Sequence, residues 1–217
     1  MLWIRIAICA LVAAATLTVE IPSAQALPPP LRVSIVGDSF SVGVGADNTR
    51  NGYANVLGTR GCWNYNLVAR AGSGYAASPD PFVSVPRVAA VASTIPDVII
   101  VQGSGNDRGD GRLFAAATGL FLTYRVVAPQ ARIVVVGPTD APNAKHGNIN
   151  EIRRYLRDAA SVAGAKFIDP MSEGWLSAYN DYAPDGIHPN TRGHGRMAAR
   201  LFDDLVRLQI PRIDSCR

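Results

Sequence analysis

Histidine, cysteine and lysine are all scarce in this chain. Its 217 residues hold three histidines, His146, His188 and His194, and three cysteines, Cys9, Cys62 and Cys216. No Cys-x-x-Cys pair and no H-E-x-x-H occurs, which removes the usual zinc frameworks. Asp185, His188 and His194 are the one set that could meet, and no metal is expected. Phosphate-cradling loops are also missing. Gly37, Gly43 and Gly45 do not fit G-x-G-x-x-G, and G-x-x-x-x-G-K-[ST] is absent, so no nucleotide cofactor is implied and none of any kind is expected. All but Lys145 and Lys166 of the 21 basic residues are arginine, spread along the chain with a net charge of only +4. Scattered charge of that size argues against nucleic acid as a partner. With 48% hydrophobic and 18% charged residues, the composition excludes a disordered chain.

Residues 1–26 stand apart from the rest. Arg5 opens a nearly uncharged apolar stretch over 6–19, and Ala24-Gln25-Ala26 forms a small-x-small cleavage site, so this segment reads as a secretory signal. The stretch is shorter than the roughly 20 residues of a spanning helix, and no stable membrane insertion is expected after cleavage. The mature protein is then secreted or associated with the cell envelope. Residues 27–31 form a spacer stiffened by Pro28, Pro29 and Pro30, and 32–217 form one domain. Cys9 leaves with the signal. Export and an even remaining count make Cys62 and Cys216 a disulfide, which would pin the C-terminal tail.

Continuous apolar runs at 32–37 (RVSIVG), 98–101 (VIIV) and 133–136 (IVVV) suit strands covered on both faces. Weaker strands fall at 66–69 and 166–168. Helical stretches at about 53–59, 83–93, 112–127 and 150–162 lie between them. A last helix over 191–208 carries Met197, Leu201, Leu205 and Leu208 as an apolar stripe. Strand and helix alternate, so the fold class is α/β: a three-layer α/β/α sandwich on a mostly parallel sheet of about five strands. Sites in such folds lie at the C-terminal ends of strands.

Ser39 occupies that position in Gly37-Asp38-Ser39-Phe40, at the turn after the first strand. A serine hydroxyl needs a base to become a nucleophile. His188 lies in Asp185-Gly186-Ile187-His188-Pro189, where a turn at Gly186 would bring the carboxylate to the imidazole Nδ1 and leave Nε2 for the serine proton. His194, inside a helical pattern, and His146, in a polar loop, read as structural or solvated. Trp175, Tyr179 and Tyr182, just before Asp185, could form an apolar wall or a sugar platform, and Phe40 could contribute beside Ser39. Aromatics near a sheet edge are more often packing residues, and that reading stays open for all four.

With these blocks in hand, the sequence resembles the SGNH, or GDSL, hydrolase superfamily of esterases and lipases. GDSF at 37–40 is similar to its nucleophile block and DGIHP at 185–189 to its Asp-x-x-His block. The resemblance implies a flavodoxin-like fold and a catalytic triad of Ser39, Asp185 and His188. It also implies oxyanion-hole donors from the backbone of Ser39 and Gly72, with Gly74 as a rival, and from the side-chain amide of Asn106. In the last block Ser104 stands where the family pattern has glycine. The G-x-S-x-G elbow of the other large esterase fold is absent, since GDSFS ends in serine.

The expected activity is therefore that of a secreted serine hydrolase acting on carboxylic esters through an acyl-enzyme. The partner would be an ester-bearing small molecule, a lipid or an acylated polysaccharide. An O-acyltransferase using the same residues and a non-catalytic envelope-binding domain are the alternatives. An imidazole base is lost as the medium turns acidic through about pH 6.5, so activity is expected to fall there.

Overall fold

The computed structural model describes residues 29–77, 80–103, 105–144, 149–210, 212–214 and 216. The proposed signal segment thus lies outside the described residues. Five strands form one sheet: β1 (Arg32–Gly37), β2 (Asn64–Ala69), β3 (Val98–Gln102), β4 (Arg132–Val136) and β5 (Lys166–Ile168). They run in the order β2-β1-β3-β4-β5, and every pairing is parallel. The chain leaves β1 for one side of it and then returns to the other, so the order reverses between β1 and β3. A crevice opens at that switch, outside the strands' C-terminal ends.

The apolar runs form strands because both faces of the sheet are covered. Side chains alternate across a strand, and two cores result. Val36, Val101 and Val135 face α3 (Val85–Ala92), α4 (Gly111–Val127) and α5 (Ile149–Val162), whose Leu120, Phe121 and Leu156 complete that layer. Ile35, Ile100 and Val134 face α2 (Tyr53–Arg60) and α6 (Thr191–Arg207), packing with Leu57, Leu201 and Leu205. The register places Ile35 opposite both Leu67 of β2 and Ile100 of β3. The α/β/α reading therefore stands, and the sheet is wholly parallel rather than mostly so.

Helix starts follow from capping residues. Asp110 accepts the amides of Arg112 and Leu113 at the head of α4, and Asn190 accepts that of Gly193 at the head of α6. After α6 the chain doubles back across the lower end of α2. Trp63 Nε1 donates to the Ile213 carbonyl at 2.7 Å, and Cys62 and Cys216 are joined with Cα atoms 5.2 Å apart. No helix among the described residues is long and apolar enough to cross a membrane.

Candidate active site

The turn leaving β1 is built around a buried carboxylate. Asp38 accepts the Phe40 amide at 3.0 Å and so caps α1 (Ser39–Val42), a single turn that holds the Ser39 hydroxyl at the crevice. Beneath it Ser41 Oγ meets Tyr53 OH at 2.6 Å and donates to Gln102 Oε1 at 2.9 Å, tying α1 to α2 and β3. Ser39 itself is 8% exposed.

His188 arrives from the loop before α6. At Gly186 the backbone has φ +65°, a conformation glycine adopts without strain, and the Gly186 amide closes the turn on the Ala183 carbonyl. The Asp185 Oδ1 atom then accepts the amides of Ile187 and His188 at 2.9 and 3.0 Å, while Oδ2 accepts from His188 Nδ1 at 2.6 Å. With Nδ1 as donor, Nε2 is the acceptor, and it lies 3.0 Å from Ser39 Oγ. Residues 149 positions apart are thus in hydrogen-bond contact. Burial pushes the Asp185 carboxyl up, but the bonds from His188 and the two amides outweigh it and hold the group below the usual carboxylate range.

The opposite wall comes from the loops after β2 and β3. Gly72 has φ +79° and faces the cleft, whereas Gly74 is buried and its carbonyl accepts the Phe82 amide. Asn106 Nδ2 spends one proton on the Ser73 carbonyl at 2.8 Å, which leaves the second proton of the amide for another acceptor. Asp107 takes the amides of Tyr75, Ala76 and Ala77 at 2.7, 2.8 and 2.8 Å, locking the two loops together. Ser104 lies outside the described residues.

Between these walls is a cleft of about 310 Å³. Ser39, His188, Gly72 and Asn106 line it together with Phe40, whose ring centroid is 5.9 Å from that of His188. Asp38, Gln102 and Thr139 add polar groups to the lining, and one stretch of the wall is aliphatic, from Val44, Pro138, Ala141, Ala144, Ile149 and Ile187. Ile187 belongs to the block that bears His188, but the sequence carried no signal for the other five, because they come from separate segments that only the fold brings together.

Three expected wall residues are corrected. Trp175 is fully buried in the core under α6, with its Nε1 donated to Glu173, and reaches no cleft. Tyr182 does not line the cleft: its hydroxyl donates to the Asp140 carbonyl at 3.1 Å, tying the loop after β4 to the loop that bears His188. Tyr179 is 95% exposed and also lies off the cleft. His194 is fully buried, accepting the Tyr53 amide at Nδ1 and donating from Nε2 to the Val44 carbonyl. His146 lies outside the described residues. Among the described residues no three His, Cys, Asp or Glu side chains gather to hold a metal.

Burial pushes the Asp38 carboxyl up to about 6, against the pull of the Phe40 amide. An unfolded aspartate releases its proton near pH 4. Between those values the folded chain holds a proton that the unfolded chain has lost, so this group's contribution to stability falls as pH rises and is lowest above pH 6. The size is about 3 kcal/mol. Asp38→Asn keeps an acceptor for the Phe40 amide and removes the charge. Thermal unfolding from pH 4 to 8 is expected to show the variant gaining on the parent as pH rises, whereas parallel curves would contradict this account of Asp38.

Residues 35–196 match the GDSL-like lipase/acylhydrolase family, a span that includes every loop described above. A GDSL lipase of Mycobacterium tuberculosis is 29% identical over 182 residues, covering 78% of this chain and 79% of its own. TesA superimposes with a TM-score of 0.67 at 22% identity, over 82% of this chain and 99% of its own. A family two carbohydrate esterase from Clostridium thermocellum, solved in complex with cellohexaose, gives 0.66 at 19% identity, over 85% and 67%. The two structures speak for the fold alone. The family match settles more: this chain belongs to the GDSL-like lipase/acylhydrolase family and is a carboxylic ester hydrolase.

Proposed function

We propose that the chain hydrolyses esters through Ser39, His188 and Asp185 by way of an acyl-enzyme. The observation that carries this is the hydrogen-bonded line from the Asp185 carboxylate through the imidazole to the Ser39 hydroxyl. Ser39 Oγ attacks the ester carbonyl carbon as its proton passes to His188 Nε2, and Asp185 stabilises the imidazolium. The resulting oxyanion is received by the backbone N–H groups of Ser39 and Gly72 and by the free proton of the Asn106 amide. On collapse the bond to the alcohol oxygen breaks, and His188 returns its proton to that oxygen. A water then gives a proton to His188 and its oxygen to the acyl carbon, and the carboxylic acid leaves as Ser39 recovers its hydrogen.

Removing one oxyanion donor typically costs 10² to 10³ in turnover. Asn106→Ala is therefore expected to lower kcat by about that factor, with KM little changed, and steady-state kinetics on one soluble ester would show it. A loss below about threefold would remove Asn106 from the oxyanion site.

The aliphatic wall favours the acyl part of the ester as the group held in the cleft. Burying a methylene is worth about 0.8 kcal/mol, or roughly fourfold in affinity. On p-nitrophenyl esters, kcat/KM is expected to rise roughly fifteenfold from acetate to butyrate and to stop rising once the chain outgrows the cleft. A profile that peaks at acetate would instead favour an acetylated polysaccharide. Adding acceptor alcohols to the same assay separates hydrolysis from acyl transfer, since a transferase would yield mainly the new ester. Export belongs to the same proposal, and a mature N-terminus at Leu27 in the culture medium or envelope fraction would support it.

A further inference from the structure

The guanidinium of Arg87 is buried beneath the active-site loops, where no carboxylate fully claims it. It stands in the first turn of α3, 5% exposed, with the nearest carboxylate oxygen, on Asp80, 3.7 Å away. Its hydrogen bonds go to neutral groups. Nη2 donates to the carbonyls of Gly37 and Val68 at 2.8 and 2.6 Å, and Nη1 donates to Ser73 Oγ and the Asp80 carbonyl at 2.8 and 3.2 Å. Nε is buried without an acceptor. Taking a charge out of water is costly, and Asp80 returns only a long ion pair at 3.7 Å.

What it holds is informative. Gly37 is two residues before Ser39, Val68 is at the end of β2, and Ser73 follows Gly72 directly. The Ser73 carbonyl is also the acceptor of the Asn106 amide. One planar fork therefore spans the end of the strand that delivers the nucleophile and the loop that carries or anchors the other two oxyanion donors.

We propose that Arg87 is a positioning residue that fixes the spacing between Ser39 and the oxyanion loop over 70–77. This rests on the assignment of Gly72 and Asn106 as donors. Lysine could not replace it, because an ammonium lacks the fork and reaches fewer of the four acceptors. Ångström-scale misplacement of a reacting group costs up to about 10² in rate.

The test uses Arg87→Lys and Ser73→Ala, the second removing the hydroxyl that Arg87 bonds and that itself donates to the Arg70 carbonyl at 2.6 Å. Each protein is titrated to completion with a fluorophosphonate, so that rates refer to folded sites. In Arg87→Lys, kcat is expected to fall tenfold to a hundredfold with KM within about twofold. The affinity for butylboronic acid, whose tetrahedral adduct places an oxygen in the oxyanion site, should fall by the same factor as kcat. Ser73→Ala should shift both in the same direction by less. Amide hydrogen exchange should quicken over residues 70–77 and not in β4 or α6. Wild-type kcat per titrated site, or exchange quickened evenly across the domain, would show Arg87 to be a packing residue only. Should Arg87→Lys fail to fold, Arg87→Gln, which keeps a donor but lacks the fork, decides in the same way. A wild type that the fluorophosphonate does not label overturns the serine mechanism instead, and exchange over 70–77 still judges the hold of Arg87 on the loop.

Discussion

Ser39→Ala is expected to lower kcat for ester hydrolysis by about 10⁴ to 10⁶ with the fold intact. The Ser39 hydroxyl lies in hydrogen-bond contact with His188 Nε2, where it can form the acyl-enzyme, and alanine leaves the cap made by Asp38 undisturbed. His188→Ala should cost about as much, because a serine without its base is scarcely nucleophilic at neutral pH. The double variant should be no slower than either single one, since residues that act as a unit lose their effect together. Residual hydrolysis would then come from the oxyanion donors and the cleft. Additive losses in the double variant would mean that Ser39 and His188 act separately, contrary to their 3.0 Å contact.

Asp185→Asn is expected to reduce kcat by about 10⁴, for a reason visible in its hydrogen bonds. One oxygen already serves the amides of Ile187 and His188, which require an acceptor. An asparagine must keep its carbonyl oxygen there, so its NH₂ turns toward His188 Nδ1. The imidazole then has to accept at Nδ1 and carry its proton on Nε2, where it cannot take one from Ser39. The carboxylate is 45% exposed, so water competes for the freed positions but does not restore the tautomer. Hydrolysis within tenfold of wild type would show that the carboxylate does not set the imidazole's orientation. Asp185 also contributes to acid stability: its folded carboxyl sits below the usual range, so the stability it supplies is present above the unfolded value and is lost as pH falls through the folded one. Its pH dependence thus runs opposite to that of Asp38.

The residues to which the chemistry is assigned were legible because they lie in short local blocks. Gly37 to Ser39 ends a run too apolar to be anything but an inner strand, and Asp185 to His188 is one turn whose glycine takes a positive φ. The parallel sheet was legible for the same reason, since its β-branched runs show no alternation and so must be covered on both faces. What failed was proximity in sequence taken as proximity in space. Trp175 precedes Asp185 by ten residues, yet the segment dives under α6 before it returns to the crevice, so the indole ends in the core. The choice between Gly72 and Gly74 was open for a related reason: both fit a turn, and only the path of the loop shows which one faces the cleft. Arg87 gave no sign at all, because an arginine in the first turn of a helix is ordinarily a solvated one. Its proposed role depends on carbonyls from two strands and a hydroxyl from a loop that meet only in the folded protein.

The most direct test of the central claim is mass spectrometry of the protein after reaction with a fluorophosphonate at neutral pH. One adduct per chain is expected, mapped to Ser39, absent from Ser39→Ala and strongly slowed in His188→Ala. A folded protein that hydrolyses esters yet carries the label elsewhere, or takes none, would contradict the assignment of Ser39 and His188 as nucleophile and base.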